Sequence, residues 1–185
     1  MNEAIFTQVQ KEMDSSVSAL RKELTKLRTG RASTALLEHI VVDYYGASTP
    51  LNQLATLSAP EPRLLVIQPF DRGAMGEIEK AILKSDLGLN PNNDGKIIRI
   101  PIPQLTEERR KELVKHVKKV AEEYRVSVRN HRRVAIEQLK ESEKKKEITA
   151  DDAKHGQERV QKITDEFIGR IDKVVKAKEE EVMAV

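Results

Sequence analysis

The sequence predicts an α+β fold, in which a small α/β domain is inserted into a long antiparallel bundle of three helices. All seven prolines of the 185-residue chain lie between Pro50 and Pro103, and long helices exclude proline from their interiors. On both sides of this segment, apolar residues recur at steps of three or four, which is the spacing of one helix face. Aromatic residues make up 3% of the chain and charged residues 34%, a composition typical of long, exposed helices.

The first helix is predicted over roughly residues 2–28. We expect it to end near Gly30, because glycine readily adopts the left-handed conformation that closes helix C-termini. Its apolar face consists of Phe6, Val9, Met13, Val17, Leu20, Leu24 and Leu27.

The second and third helices fill the chain after residue 104. Thr106 is a good N-cap for the second, which has no breaker for about 40 residues. The third begins after Thr149, with Asp151 and Asp152 at the positive end of the helix dipole. Because the turn between them is short, these two helices should run antiparallel and bury their apolar faces against each other and the first helix. Those faces are Leu113, Val117, Val120, Tyr124, Val128, His131, Ala135 and Leu139 in the second helix, and Val160, Ile163, Phe167, Ile171 and Val174 in the third.

The inserted segment reads as a small α/β domain. His39–Gly46 and Arg63–Phe70 have strand composition, Gly76–Gly88 has helical spacing, and Lys96–Pro103 is strand-like with prolines that favour an edge or an exit. We therefore assign 1–30 and 105–185 to the bundle and 31–104 to the insert. Two neighbouring connections join these domains, and we expect a hinge there. The predicted hinge residues are Gly30, Arg31, Ala32, Ser33, Pro103 and Gln104.

The residue inventory argues against catalysis and against bound cofactors. The chain has no cysteine, which excludes disulfides and thiolate chemistry. The four histidines show no metal-ligand spacing, and His131 lies on an apolar stripe, where a core or boundary role is expected. We find neither a secretion signal nor an apolar run long enough to span a bilayer. We therefore expect a soluble, cytoplasmic, monomeric binding protein without metal or cofactor.

Positive charge is concentrated in the second helix. Residues 105–146 hold 14 basic and 8 acidic residues, although the whole chain has a net charge of only +3. At 100° per residue, six cationic side chains fall within about 100° of arc beside the apolar stripe. Such a ribbon suits the phosphates of structured RNA, provided that the chain's own carboxylates do not neutralise it. The alternative is a solvated face paired with acidic residues of neighbouring helices. The six residues are Arg110, Lys111, Lys118, Arg125, Arg129 and Arg132.

Five ordered motifs together resemble the bacterial ribosome recycling factor family along essentially the whole chain. They are KLRTGRAS (26–33), VVDYYGASTPLNQLA (41–55), KSDLGLNPNNDG (84–95), LTEERRKEL (105–113) and VRNHRR (128–133). The resemblance implies an L-shaped, tRNA-like protein with a β/α/β short arm and a flexible elbow. It also implies binding to the post-termination ribosome, which is then split together with elongation factor G and GTP, the nucleotide being used by that partner.

The resemblance also implies roles for individual residues. It implies contact with large-subunit rRNA at Arg110, Arg129, Arg132 and Arg133, whereas Lys118 and Arg125 come from the helical arc alone. Arg28 and Arg31 flank the elbow, and Arg31 is an alternative RNA contact.

Two other functional classes remain open on the residues alone. A coiled-coil adaptor or chaperone would need an exposed apolar stripe to bind protein helices. A small RNA-processing enzyme would need a carboxylate or histidine constellation, and the sequence offers none.

Overall fold

The computed structural model describes residues 3–184, and the chain forms two compact units. Unit 1 is Met1–Thr29 with Glu107–Val185, and unit 2 is Gly30–Thr106. The helices are α1 (Glu3–Thr25), α2 (Leu51–Leu54), α3 (Met75–Lys84), α4 (Glu107–Lys144) and α5 (Ala150–Met183). The strands are β1 (Val41–Tyr44), β2 (Ala47–Pro50), β3 (Ala55–Glu61), β4 (Leu64–Pro69), β5 (Asn92–Asn93) and β6 (Ile98–Pro101).

Unit 1 is a bundle of three long helices, as predicted. α1, α4 and α5 contain 23, 38 and 34 residues, and their apolar stripes form one buried cluster. Pairs of side-chain contacts show the directions of the helices. Glu12 and Glu23 of α1 meet His131 and Tyr124 of α4, respectively. Glu3 and Asp14 of α1 meet Arg159 and Arg170 of α5. α1 is therefore antiparallel to α4 and parallel to α5. Among the described residues, the stripes cover one another, which leaves no continuous apolar face of the kind a helix-binding adaptor needs.

The helix ends were predicted with unequal success. The Thr149 cap is confirmed: its hydroxyl accepts from the Asp152 N–H at 3.1 Å, and the Asp152 carboxylate accepts from the Thr149 N–H at 3.2 Å. This reciprocal capping box satisfies two backbone donors that the first helical turn leaves open. The prediction for α1 was wrong, because the helix ends at Thr25 and Gly30 lies in the connection beyond it.

Unit 2 has its own core between two antiparallel sheets and α3. β1 and β2 form a hairpin, and the second sheet has the order β3-β4-β6-β5. Along β4, Leu65 and Ile67 are buried while Leu64 and Val66 are half-buried, so one sheet face packs on the core. α3 adds Ile78 and Ile82 to the same buried cluster.

The predicted strand at Lys96–Pro103 corresponds to β6, which lies inside the sheet and not at its edge. Its neighbour β5 has only two residues, however, so Ile100 and Pro101 pair on the β4 side alone. Proline, which lacks an N–H, is tolerated there because no partner strand requires one.

None of the helices within residues 3–184 is long and apolar enough to cross a membrane.

Candidate nucleic-acid interface

The cationic ribbon lies along α4, and part of it faces α5. Lys118, Arg125 and Arg132 follow one another at intervals of seven residues, which keeps them on one side of the helix. Each approaches a polar side chain of α5, respectively Glu179, Asp172 and Gln161. The ribbon therefore divides into residues engaged with the neighbouring helix and residues turned towards solvent.

Arg125 belongs to the engaged group. Its Nε and Nη2 both donate to Oδ1 of Asp172, at 3.1 and 2.7 Å, and its Nη1 donates to Glu122 at 3.3 Å. The side chain is 22% exposed. A guanidinium that already spends three N–H groups on its own protein has little left for phosphate. The arc-based expectation that Arg125 contacts RNA does not fit this geometry, and we leave Arg125 out of the proposed contacts.

The two lysines of the arc also have carboxylates nearby. Lys111 Nζ lies 2.7 Å from Oε1 of Glu107, one helical turn away. Lys118 Nζ lies 4.0 Å from Oε1 of Glu179, which is beyond hydrogen-bond distance. Both lysines are well exposed, and exposed pairs of this kind are weak. Both ammonium groups are therefore largely solvated and only weakly held by these carboxylates.

Arg129 is exposed but has one internal partner. Its Nη1 donates to Oε1 of Glu122 at 3.0 Å, and its side chain is 45% exposed. The hydrogen bond from Arg129, followed by that from Arg125, holds the pKa of the Glu122 carboxyl below its usual value and outweighs the opposing effect of desolvation. Glu122 is therefore a firmly ionised acceptor within the cationic ribbon.

Two arginines of the ribbon, Arg110 and Arg132, and the neighbouring Arg133 lack carboxylate partners among residues 3–184. Arg132 donates to the amide oxygen of Gln161 at 3.3 Å, and Arg133 donates to Asn130. Arg110 is half-buried, and its Nε is a buried donor without a partner in the described part of the chain. Arg110, Arg132 and Arg133 thus keep their positive charge uncompensated by a direct ion pair. Their guanidinium groups can donate hydrogen bonds to phosphate oxygens without first leaving a carboxylate.

His131 has a structural position, as expected for a residue on the apolar stripe. Its Nδ1 lies 3.1 Å from Oε2 of Glu12, and its Nε2 lies 3.4 Å from the hydroxyl of Ser16 in α1. Residues 3–184 contain no group of three or more side chains arranged to hold a metal ion.

The two connections between the units are anchored at their ends. In unit 1, the buried Thr29 donates to Oε1 of Glu181 at 2.8 Å. In unit 2, the Ala32 N–H donates to the carbonyl of Pro62 at 2.7 Å, and Ser33 caps a short 3₁₀ helix over Thr34–Leu37. Gly30 and Arg31 are the residues between these anchors.

The second connection is bounded in the same way. The Ile102 N–H donates to the carbonyl of Arg63 at 2.8 Å, and α4 begins at Glu107. Pro103 and Gln104 lie between these points and are exposed. Gly30 has a φ of +76°, and a Cβ added there would lie 3.0 Å from Cγ of Leu105. The predicted hinge residues therefore fall into two groups. Ala32 and Ser33 are hydrogen-bonded within unit 2, whereas Gly30, Arg31, Pro103 and Gln104 lie between the anchored ends of the two connections.

The sequence analysis kept pairing with acidic residues of neighbouring helices as an alternative, but it did not identify those residues, although a signal existed. Asp172 and Glu179 of α5 lie seven residues apart, as their partners Arg125 and Lys118 do in α4. Matching seven-residue spacings in two antiparallel helices indicate side chains that flank a shared interface.

Comparison with known proteins gives a consistent result. A family model described as ribosome recycling factor matches residues 20–183. The ribosome-recycling factor of Carboxydothermus hydrogenoformans is 56% identical over 185 residues, and that of Bacillus subtilis is 54% identical over 185 residues, each alignment covering 100% of both chains.

Two solved structures resemble the chain. A solution structure of ribosome recycling factor has a TM-score of 0.75 at 48% identity, covering 99% of this chain and 97% of that one. A second describes the Thermus thermophilus factor with Escherichia coli elongation factor G bound to the E. coli post-termination complex. Its TM-score is 0.64 at 48% identity, with 98% of each chain covered.

Proposed function

Because this chain belongs to the ribosome recycling factor family, we propose that it binds large-subunit rRNA through the arginines of α4 and takes part in splitting the ribosome after termination. It is a translation factor and not an enzyme. We place its action in the cytoplasm, as a monomer between the ribosomal subunits.

The observation that carries the RNA assignment is the set of arginines without internal carboxylate partners. Arg110, Arg132 and Arg133 lie on one helix, and Arg129 adds an exposed guanidinium beside them. Unit 2 holds 7 basic and 8 acidic residues and therefore has a net charge of −1. Because the whole chain has a net charge of +3, unit 1 has a net charge of +4. A row of planar forks on the positive unit suits phosphate oxygens, which accept two parallel N–H donors. The sparse aromatic content argues for backbone and shape recognition over base stacking.

The second part of the proposal concerns movement. We assign the hinge to Gly30 and Arg31 in one connection and to Pro103 and Gln104 in the other, because their neighbours are hydrogen-bonded within the units. Elongation factor G would drive unit 2 while unit 1 stays on rRNA, and GTP would be consumed by that partner. The relative described with elongation factor G on a post-termination complex supports this choice of partner.

The test is subunit dissociation followed by light scattering. Purified post-termination ribosomes are mixed with elongation factor G, GTP and the wild-type protein or the Arg110→Ala/Arg129→Ala/Arg132→Ala variant. We expect rapid loss of scattering with the wild type and at least a tenfold slower loss with the variant. No acceleration by the wild type would refute the recycling function. Equal rates for both proteins would refute the role of these arginines.

A further inference from the structure

Glu122 is an acidic side chain placed inside the ribbon that is proposed to bind RNA. Its two carboxylate oxygens contact two different arginines: Oε1 accepts from Arg129 at 3.0 Å and Oε2 accepts from Arg125 at 3.3 Å. A phosphate group bound between two guanidinium groups would present its oxygens in the same way. The carboxylate therefore occupies, on the Arg129 side, a position that suits a phosphate oxygen.

The two arginines differ in how tightly they are held. Arg125 is fixed to α5 by two further hydrogen bonds to Asp172. Arg129 has Glu122 as its one ion-pair partner among the described residues, through a single N–H group. Glu122 is thus shared between Arg125, which donates three hydrogen bonds to described residues, and Arg129, which donates one. The side chains of Arg125, Arg129, Glu122 and Asp172 together carry no net charge in the free protein.

We propose, on the basis of the rRNA-binding function proposed above, that Glu122 is an internal substitute for phosphate that Arg129 must exchange when it binds RNA. In the free protein, Glu122 folds the Arg129 side chain back along α4 over two helical turns. On RNA, the guanidinium leaves the carboxylate for a phosphate, while the Glu122 charge stays within a few ångströms of that phosphate and repels it. Glu122 therefore lowers affinity and speeds dissociation, as a factor that must leave the ribosome in every cycle requires.

Neutralising Glu122 should consequently tighten binding. Glutamine in its place keeps an acceptor oxygen for Arg125 and removes the charge that competes with phosphate. One fewer negative charge at contact distance should improve affinity for vacant large ribosomal subunits by roughly three- to tenfold at about 0.1 M salt. The improvement should lie mainly in a slower dissociation rate, and it should shrink as salt is raised.

Glu123 provides the matched control. It lies next to Glu122 on α4, is exposed, and forms no ion pair within residues 3–184. Glu123→Gln changes the net charge by the same amount without touching Arg125 or Arg129. We expect Glu123→Gln to alter affinity for the subunits by less than about twofold, since exposed charges without a direct partner are screened.

The experiment measures binding of five proteins to salt-washed vacant large subunits: wild type, Glu122→Gln, Glu123→Gln, Arg129→Ala, and Glu122→Gln combined with Arg129→Ala. The double variant is compared with Arg129→Ala. We expect tighter binding for Glu122→Gln only, and no gain from Glu122→Gln once Arg129 is absent. Thermal unfolding of each variant confirms that the bundle is intact. The readouts of dissociation rate and coupling to Arg129 would not respond to a merely structural role.

Three outcomes would overturn this inference and leave the proposed function standing. They are equal gains in affinity for Glu122→Gln and Glu123→Gln, weaker binding by Glu122→Gln, and an undiminished gain in affinity from Glu122→Gln when Arg129 is absent. Absence of binding by the wild type would instead overturn the proposed function, and this inference with it.

Discussion

Arg125 donates two hydrogen bonds to one oxygen of Asp172, from Nε at 3.1 Å and from Nη2 at 2.7 Å. The pair joins α4 to α5 near the middle of the bundle, beside the buried residues Val128 and Ile171. Arg125 thus lies in the cationic ribbon identified from the sequence, but its hydrogen bonds to Asp172 give it a structural role within the bundle. The two roles predict different effects of mutation.

Arg125→Ala should destabilise unit 1 by roughly 1 kcal/mol, because it removes a partly buried charged hydrogen-bond pair and leaves Asp172 without its partner. Arg133→Ala, an exposed change on the same helix, should alter the free energy of unfolding by less than about 0.5 kcal/mol. Urea unfolding of both variants checks this. Equal destabilisation by the two substitutions would remove the structural role of Arg125.

The two glycines of α5 should respond in opposite directions. A Cβ on Gly156 would lie 3.1 Å from both terminal methyl groups of Leu139 and 3.6 Å from Phe6, whereas one on Gly169 would meet nothing within 4 Å. Gly169→Ala should stabilise the bundle by up to about 1 kcal/mol through helix propensity. Gly156→Val should destabilise it by roughly 1–3 kcal/mol through overpacking. Thermal melts that moved in the same direction for both would contradict the close approach at Gly156.

Asp94 gives unit 2 a defined response to acid. Hydrogen bonds from the N–H groups of Ile97 and Lys96, followed by one from Arg99, lower the pKa of Asp94 from 3.8 to about 2. A carboxyl whose pKa is depressed on folding stabilises the protein above its unfolded pKa and loses that effect as pH falls through its folded pKa. The stability difference between wild type and Asp94→Asn should therefore be full above about pH 4 and vanish towards pH 2. A difference that stayed constant across this range in unfolding experiments would show that the charge of Asp94 is not involved.

Gly30 offers a test of the proposed hinge. Its φ of +76° is available to glycine and not to proline, whose ring fixes φ near −65°. Gly30→Pro should leave affinity for large subunits within about twofold of the wild type, because the arginines of α4 are untouched, but should slow ribosome splitting several-fold.

Gly88→Pro is the control for Gly30→Pro, since Gly88 also has a positive φ but lies away from both connections. Splitting at the wild-type rate by a folded Gly30→Pro protein would refute the hinge.

The helical part of the fold could be predicted because each stripe is a local pattern. Thr149 and Asp152 indicate the start of α5 within four residues. The seven prolines all lie between Pro50 and Pro103, which distinguishes the insert from the helical segments. β3 was not predicted, because its sequence ATLSAPE holds a single large apolar residue, Leu57, and becomes a strand through pairing with β4. β5 consists of two asparagines inside a turn-like segment, and its pairing with β6 has no local signal.

The candidate site was predicted only at the level of charge. The arc of α4 located the cationic residues, but it could not separate Arg125 from Arg132, which lie on the same side of the helix. Their difference arises from α5, where Asp172 faces one and Gln161 faces the other. Such partners lie 29 to 47 residues away in the chain, and their identity depends on the register between two helices.

The most direct test of RNA binding through α4 is sedimentation with vacant large ribosomal subunits at about 50 and 200 mM salt. The variant Arg110→Ala/Arg129→Ala/Arg132→Ala is compared with a variant of equal charge, Lys162→Ala/Lys173→Ala/Lys176→Ala, whose lysines are exposed on the side of α5 opposite its buried stripe. We expect the arginine variant to lose roughly 30- to 100-fold in affinity and part of the salt dependence, and the lysine variant to lose no more than a few-fold. Equal binding by the two variants, at either salt concentration, would contradict the assignment of the RNA-binding surface to the arginines of α4.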